Sequence, residues 1–398
     1  MKHICTENKC TGCGLCMNVC KHNAINIIRG EIDTVYPTID TEKCVDCGLC
    51  YKYCPALNQG ESNYPKEAIA CWSKDEMDYK TSTSGGVASV ISTWVLENGG
   101  VVYGCGTSKD KISHIRIDDV NDLYKLKGSK YTQSHITDNL YKQVKTDLSN
   151  GKLVVFIGTP CQVAACKSYN RKNEDKLISI DLICHGVPSQ ELFIKNITHR
   201  LGINQIYEIK KISFRDSNTS DFFLSTIISD ENKKEYKCNI NPFRPSFNDK
   251  YYCAFWYGWS YRESCYNCIY AKNKRISDIT IGDFWGLNIK ELPIRPTSGC
   301  SVMLINTNKG YNVKEAIKDR LYTYNRPVEE AIKGNSQLQN PTKLGLRGKL
   351  FRKIYPYLGL ETSFNIAALD KVVISYIKRF IKFILFIKKV SSQKKAID

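Results

Sequence analysis

The sequence predicts a small cysteine-rich α+β module at the N-terminus, joined to a larger mixed α/β domain and followed by a basic amphipathic helix. Three observations carry this. Four cysteines recur at a fixed offset, Cys10 to Cys44 onward. From about Tyr64, β-branched runs alternate with turn residues and helical stretches. Near the C-terminus, lysines fall at helical spacing opposite apolar residues. The expected division is 1–60, 61–340 and 341–398.

A chain of 398 residues has room for two or three domains, and 42% hydrophobic with 24% charged residues is ordinary for a globular protein. The opening MKHICTENKC lacks the apolar stretch and small-residue cleavage site of a secretory signal, so the expected compartment is reducing cytoplasm. Nineteen cysteines, an odd number with several in C-x-x-C groups, then point to metal chemistry instead of a disulfide framework. The net charge of +17 is unevenly placed. Residues 1–60 carry six basic and six acidic side chains, whereas 340–398 carry thirteen against three, a balance of +10.

In the module, residues 10–20 read CTGCGLCMNVC and residues 44–54 read CVDCGLCYKYC, with Gly-Leu repeated at 14–15 and 48–49. The spacing C-x2-C-x2-C-x3-C is that of the two-cluster bacterial ferredoxin, in which the fourth cysteine of each run crosses to the other cluster. Cys10, Cys13, Cys16 and Cys54 are therefore expected to hold one 4Fe-4S cluster, and Cys44, Cys47, Cys50 and Cys20 the other. Pro55 follows Cys54 as the pattern requires, but Lys21 stands after Cys20. Zinc also takes four thiolates. The crossed eight-cysteine spacing is far more specific than an isolated C-x-x-C.

In the larger region, Ser84 reads as an N-cap. Val87, Val90, Ile91, Trp94 and Val95 recur at helical spacing, and Gly99-Gly100 ends the run. The strand VVYGCG follows. Leu153–Ile157 and Leu177–Ile183 each read as a strand leading through a turn into a helix. Such alternation predicts some parallel pairing, with the site on loops at the strands' carboxyl ends. Cys161 and Cys184 fall on loops of that kind, and Cys265 with Cys268 forms a C-x-x-C. Read alone, Cys161 fits a buried apolar residue, a nucleophile, a disulfide partner or a metal ligand, and the C-x-x-C fits zinc. Nothing identifies a base for a nucleophile.

The ordered segments TSTSGGVAS, LKGSKYTQS, GTPCQVAAC, DLICHGVPS, SCYNC and SDITIGDFWG resemble the β subunit family of coenzyme F420 hydrogenases and dehydrogenases over about residues 65–310. The resemblance implies an iron–sulfur flavoprotein: FAD and a third 4Fe-4S cluster in the α/β domain, with Cys161, Cys184, Cys265 and Cys268 as the ligands of that cluster. It also implies electron exchange between a hydride carrier, a deazaflavin or another acceptor, and one-electron partners, and in bacterial relatives a context of envelope polysaccharide assembly; NAD(P)H is a separate candidate carrier. No G-x-G-x-x-G fingerprint marks a nicotinamide site.

Candidate flavin contacts are Ser84, Gly85 and Gly86 at a helix start, where amides and the helix dipole favour a pyrophosphate, and Ser129, Lys130, Tyr131 and Gln133. A capped helix and a solvated loop account for the same residues. His185 and Asp283 are candidates for moving a proton at the flavin, and equally for structural hydrogen bonds. The nine Tyr, Phe and Trp residues of 251–270 offer stacking partners or core. Cys166, Cys105, Cys71, Cys238, Cys253 and Cys300 read as packing residues, and Cys5 as a spare thiol.

Residues 371–390, KVVISYIKRFIKFILFIKKV, are interrupted by Lys378, Arg379 and Lys382, too many charges for a spanning helix. Lys371, Lys378, Lys382 and Lys389 share one face, with Val373, Ile377, Phe380, Ile384 and Ile387 opposite. Such a helix suits an anionic membrane surface or a protein partner. Nucleic acid is not an expected ligand, because the charge accompanies an apolar face and not base-stacking aromatics. A rival class is a non-catalytic electron-transfer subunit serving a separate enzyme.

Overall fold

The structure is a computed structural model that describes residues 2–107, 111–172, 175–203, 209–215, 222–228, 235–239 and 249–370, together with 373 and 377. In the N-terminal module, strands β1 (Lys2–His3), β2 (Ile25–Arg29) and β3 (Val35–Ile39) form an antiparallel sheet in the order β1-β3-β2. Helices α1 (Leu15–Val19) and α2 (Leu49–Tyr53) each begin at a left-handed glycine, Gly14 and Gly48. The positive φ, which only glycine adopts freely, turns the chain within each cysteine run so that successive thiols can approach one another.

The larger region is built on strands β4 (Glu67–Ser73), β5 (Val101–Thr107), β6 (Ile112–Ile117), β7 (Val154–Gly158) and β8 (Leu177–Leu182). A separate antiparallel sheet of β9 (Ile209–Arg215), β10 (Phe222–Ile228) and β11 (Glu235–Asn239) intervenes, and β12 (Ile279–Asp283), β13 (Ser301–Ile305) and β14 (Leu321–Arg326) return to the main sheet. Its order is β14-β4-β13-β12-β8-β7-β5-β6. The run β12-β8-β7-β5 is parallel, and the flanking pairs are antiparallel. Mixed α/β architecture with parallel pairing therefore matches the expectation. The antiparallel flanks were not part of it.

Helices α3 (Glu76–Lys80), α4 (Val87–Glu97), α5 (Leu140–Ser149), α6 (Pro160–Asn170), α7 (Gln190–Leu201), α8 (Lys250–Trp256), α9 (Asn308–Ile317), α10 (Val328–Gly334) and α11 (Leu346–Ala367) surround the sheets. Val87, Ile91 and Val95 of α4 share a core with Val313 and Ile317 of α9. Val144 of α5 and Val163 of α6 belong to a second core, which also takes in Leu15 and Val19 of the module. The module is thus packed onto the domain by shared apolar burial. Ser84 is not the N-cap of α4; that place is held by Gly86, with φ 82°. The chain is pinned before the helix begins, because the Gly85 amide donates to Ser301 Oγ and the Ser73 amide donates to the Gly85 carbonyl.

α11 is two helical pieces joined at Gly359, where φ is 69°. Phe351 and Phe364 are fully buried against Trp259, so 346–367 pack onto the body. The amphipathic helix expected over 371–390 lies outside the described residues apart from Val373 and Ile377, both about half exposed. Among the described residues no helix is long and apolar enough to cross a membrane.

One buried ion pair fixes the carboxyl edge of the sheet. Arg275 Nη2 lies 3.0 Å from Asp181 Oδ2, with both side chains almost wholly buried. The same guanidinium donates to the carbonyls of Tyr270 and Lys272 and to Thr280 Oγ1. It therefore ties the loop after Cys268 to β8 and β12. Removing one partner of such a pair strands a buried charge, so Arg275→Met is expected to destabilise by about 3–5 kcal/mol. Adding Asp181→Leu should recover most of the loss. Urea midpoints of the two variants check this.

Candidate iron–sulfur and flavin site

Cys10, Cys13, Cys16 and Cys54 lie close enough for their sulfurs to repel one another when charged. Each is also met by backbone amides that favour the thiolate: Gly12 at Cys10, Leu15 at Cys13, Met17 at Cys16, and Ala56 with Leu57 at Cys54. Burial opposes this, pushing Cys13 up to about 12 and Cys16 upward as well. Cys5, outside the spacing pattern, is no remote thiol. Its thiol lies within hydrogen-bonding reach of both Cys10 and Cys54, and its proton, shared with them, favours the thiolate there and draws both below the ordinary thiol range. Four thiols, Cys10 and Cys13 buried and Cys16 and Cys54 half-buried, all supplied with amide donors, fit a group that takes them as thiolates, as iron does.

The second run is nearer to solvent. Cys47 is exposed, while Cys44, Cys50 and Cys20 are half-buried. Cys44 and Cys47 lie near enough to Cys50 to raise it, a smaller effect than burial. The Ala24 amide donates to Cys20 Sγ at 3.4 Å.

Arg262 stands between the module and the domain with no exposed surface. Its Nε donates to the Cys10 carbonyl at 2.6 Å, Nη2 to the Val35 carbonyl at 2.7 Å and to Cys10 Sγ at 3.4 Å, and Nη1 to Gln133 Oε1 at 3.2 Å. The guanidinium stacks on Tyr36, 4.4 Å from the ring centre. Nothing in the spacing of the cysteines pointed to it. The one signal was a lone cation three residues before Cys265 in an aromatic run.

Cys161 occupies the first turn of α6, not a loop. Thr159 caps that helix reciprocally with Gln162, and Pro160 fills the first helical position. Cys184 sits on the loop after β8, Cys265 in the short turn Glu263–Asn267, and Cys268 at its end. All four cysteines line one cavity, together with Thr11 of the module, His185, Val187, Tyr270 and Arg275. Amides of Gly186, Val187, and Tyr270 with Ala271 meet the sulfurs of Cys184, Cys265 and Cys268 respectively. Burial pushes Cys161 up to about 11 and Cys265 to about 12. A bound cationic centre removes that penalty by taking the thiolate directly. Cys161 is near enough to Cys13 to influence it, and the Tyr270 side chain interacts with both. Among the described residues no three His, Cys, Asp or Glu side chains are drawn around a single metal ion.

Of the flavin candidates, Ser84 is tied to Ser301 at the carboxyl edge of the sheet, and Ser129 meets Thr83, the residue before Ser84. Thr83 Oγ1 is 3.1 Å from Ser129 Oγ, and Ser301 Oγ donates to Ser84 Oγ. A Cβ on Gly85 would collide with the Cys71 carbonyl. Tyr131 stacks on Phe255 with 4.9 Å between centres and hydrogen-bonds to Ser129 and Arg215. Lys130 and Gln133 are turned away from this group. The Lys130 ammonium donates to the carbonyls of Cys105, Leu126 and Lys127. Gln133 Nε2 donates to the carbonyls of Thr11 and Gly12, while its Oε1 accepts from Arg262. Asp283 is paired with Arg215 at 2.5 Å, and His185 Nδ1 lies 2.9 Å from Gln337 Nε2. Of the cysteines read as packing residues, Cys71, Cys166 and Cys253 are buried and Cys105 and Cys300 half-buried; the side chain of Cys238 lies outside the described residues.

Residues 9–58 match the 4Fe-4S dicluster domain family, and residues 151–331 match the family described as the C terminus of the coenzyme F420 hydrogenase/dehydrogenase beta subunit. Among solved structures, a chain of the xenon-derivatised F420-reducing NiFe hydrogenase complex from Methanosarcina barkeri is 17% identical. The match covers 69% of this chain and 91% of that one, with a TM-score of 0.46. No curated protein matches in sequence. The chain thus matches, in this order, a 4Fe-4S dicluster domain and the C-terminal domain of the coenzyme F420 hydrogenase/dehydrogenase beta subunit family.

Proposed function

We propose that this chain is an iron–sulfur flavoprotein oxidoreductase that passes electrons between a hydride-type donor or acceptor, deazaflavin or NAD(P)H, and one-electron carriers. Envelope glycan assembly is the context the sequence resemblance implies. One observation carries the reading: Cys161, Cys184, Cys265 and Cys268 line a single cavity that adjoins the Cys10–Cys16 loop through Thr11 and Tyr270. When bound, a flavin supplies hydride chemistry and the clusters single-electron transfer. Ser84, Gly86 and Ser129 at the sheet edge are the residues we assign to flavin phosphates, and Tyr131 to the ring. Arg215 holds Asp283 in place there, and Gln337 orients His185.

A second reading, a non-catalytic electron-transfer subunit, is favoured by the engagement of both titratable candidates, Asp283 and His185, in structural bonds. Metal and flavin analysis after anaerobic purification separates the two. About twelve iron atoms with bound flavin support the enzyme, twelve without flavin support the subunit, and about eight iron atoms remove the third cluster. Cys161→Ala is expected to lower the iron content from about twelve to about eight while leaving the ferredoxin-type signals intact. Unchanged iron in that variant returns Cys161 to a packing role.

We also infer peripheral membrane contact through 371–390. Deleting 371–398 should abolish sedimentation with anionic liposomes, and undiminished binding would refute that contact.

A further inference from the structure

Among the described residues Arg262 is buried without a carboxylate, and this sets it apart from its neighbours. Buried Arg275 has Asp181, Arg352 has Glu263 and Glu31, and Arg215 has Asp283. Lys130 also points only at carbonyls, but a lysine can shed its proton under burial, which a guanidinium cannot do. The partners of Arg262 are two backbone carbonyls, an amide oxygen and Cys10 Sγ. Of these, only the sulfur can carry negative charge. A buried, uncompensated cation is strongly destabilising, so the residue fits its surroundings when Cys10 is a thiolate within an anionic group.

We propose that Arg262 is a positioning residue that supplies the fixed counter-charge to the iron–sulfur group held by Cys10, Cys13, Cys16 and Cys54 and thereby raises its reduction potential. This rests on the reading of those cysteines as cluster ligands. Reduction there adds one electron and breaks no bond. A permanent positive charge against a ligand sulfur, in a low-dielectric site, favours the state with the extra electron. The hydrogen bond to Cys10 Sγ acts in the same direction. Gln133 and Tyr36 keep the guanidinium in that orientation. Exposed Cys47 belongs to a more solvated site, where water screens surrounding charge.

The test is an EPR-monitored redox titration of the anaerobically reconstituted full-length chain as wild type, R262Q and R262K. R262Q with full iron content is expected to show the ferredoxin-type cluster of Cys10, Cys13, Cys16 and Cys54 at a more negative potential and the other ferredoxin-type cluster unmoved; a group on Cys161 and Cys265, whose sulfurs the same charge reaches, should shift less and in the same direction. R262K, which keeps the charge, should stay closer to wild type. Unchanged potentials in fully loaded R262Q overturn the proposal, as does R262K shifted as far as R262Q.

Should R262Q fail to load iron, the wild-type protein decides. Of the two ferredoxin-type clusters, the one not perturbed by Cys47→Ser should titrate at the higher potential, although burial alone would place it lower, because burial disfavours the more highly charged reduced state. The reverse order overturns the assignment. Wild-type protein that binds no iron in the module would instead refute the cluster reading itself.

Discussion

Arg262 carries a permanent charge to a place closed to solvent, and the arrangement around it follows from holding that charge. Its side chain fixes the Cys10 backbone, the end of the module sheet at Val35, and Gln133. Its own backbone serves the other side: its amide donates to the Val187 carbonyl, and its carbonyl accepts from the Cys265 amide. One residue therefore sets the position of cysteine-bearing segments in both the module and the domain. Tyr141 adds to this from α5, donating to the Cys13 carbonyl at 2.8 Å, and Asn18 bonds the Thr137 carbonyl and the Tyr141 amide.

The parallel strands explain why the remaining groups meet where they do. β7, β8 and β12 run in the same direction, so Gly158, Leu182 and Asp283 end on one edge. Cys161 and Cys184 follow directly from two of those ends. Antiparallel β13 brings Ser301 opposite Asp283, and β4 brings Cys71 opposite Ser301. The start of α4 is tied to the same edge through Gly85 and Ser301. Loops and caps gather at this edge because each strand leaves its backbone groups there to be satisfied.

Much of this was legible in the sequence where a local rule governs. The repeated cysteine spacing identified the module, and the strand VVYGCG and the run from Leu177 appear as β5 and β8 with boundaries shifted by at most a residue. The residues that escaped are those governed by long-range contacts. Lys130 and Gln133 look alike available in a polar loop, yet one is consumed by carbonyls of its own turn and of β5 and the other by the module. Ser84 lost the capping role to Gly86 because a strand more than two hundred residues away holds the chain there. Spacing reveals which thiols can share a ligand; it carries no trace of the charge placed beside them.

Gly12 and Gly14 give the seam between the two parts a further meaning. A side chain on Gly12 would strike Gln133 and Arg262, and one on Gly14 would strike Ile136. The turn that shapes the first cysteine run is thus also a mould for the domain's surface. A ferredoxin from another source, however similar its cysteine spacing, could replace this module only with Gln133, Ile136 and Arg262 recut to match. The two halves of the chain are free to diverge in their outer faces but are bound to change together along this seam.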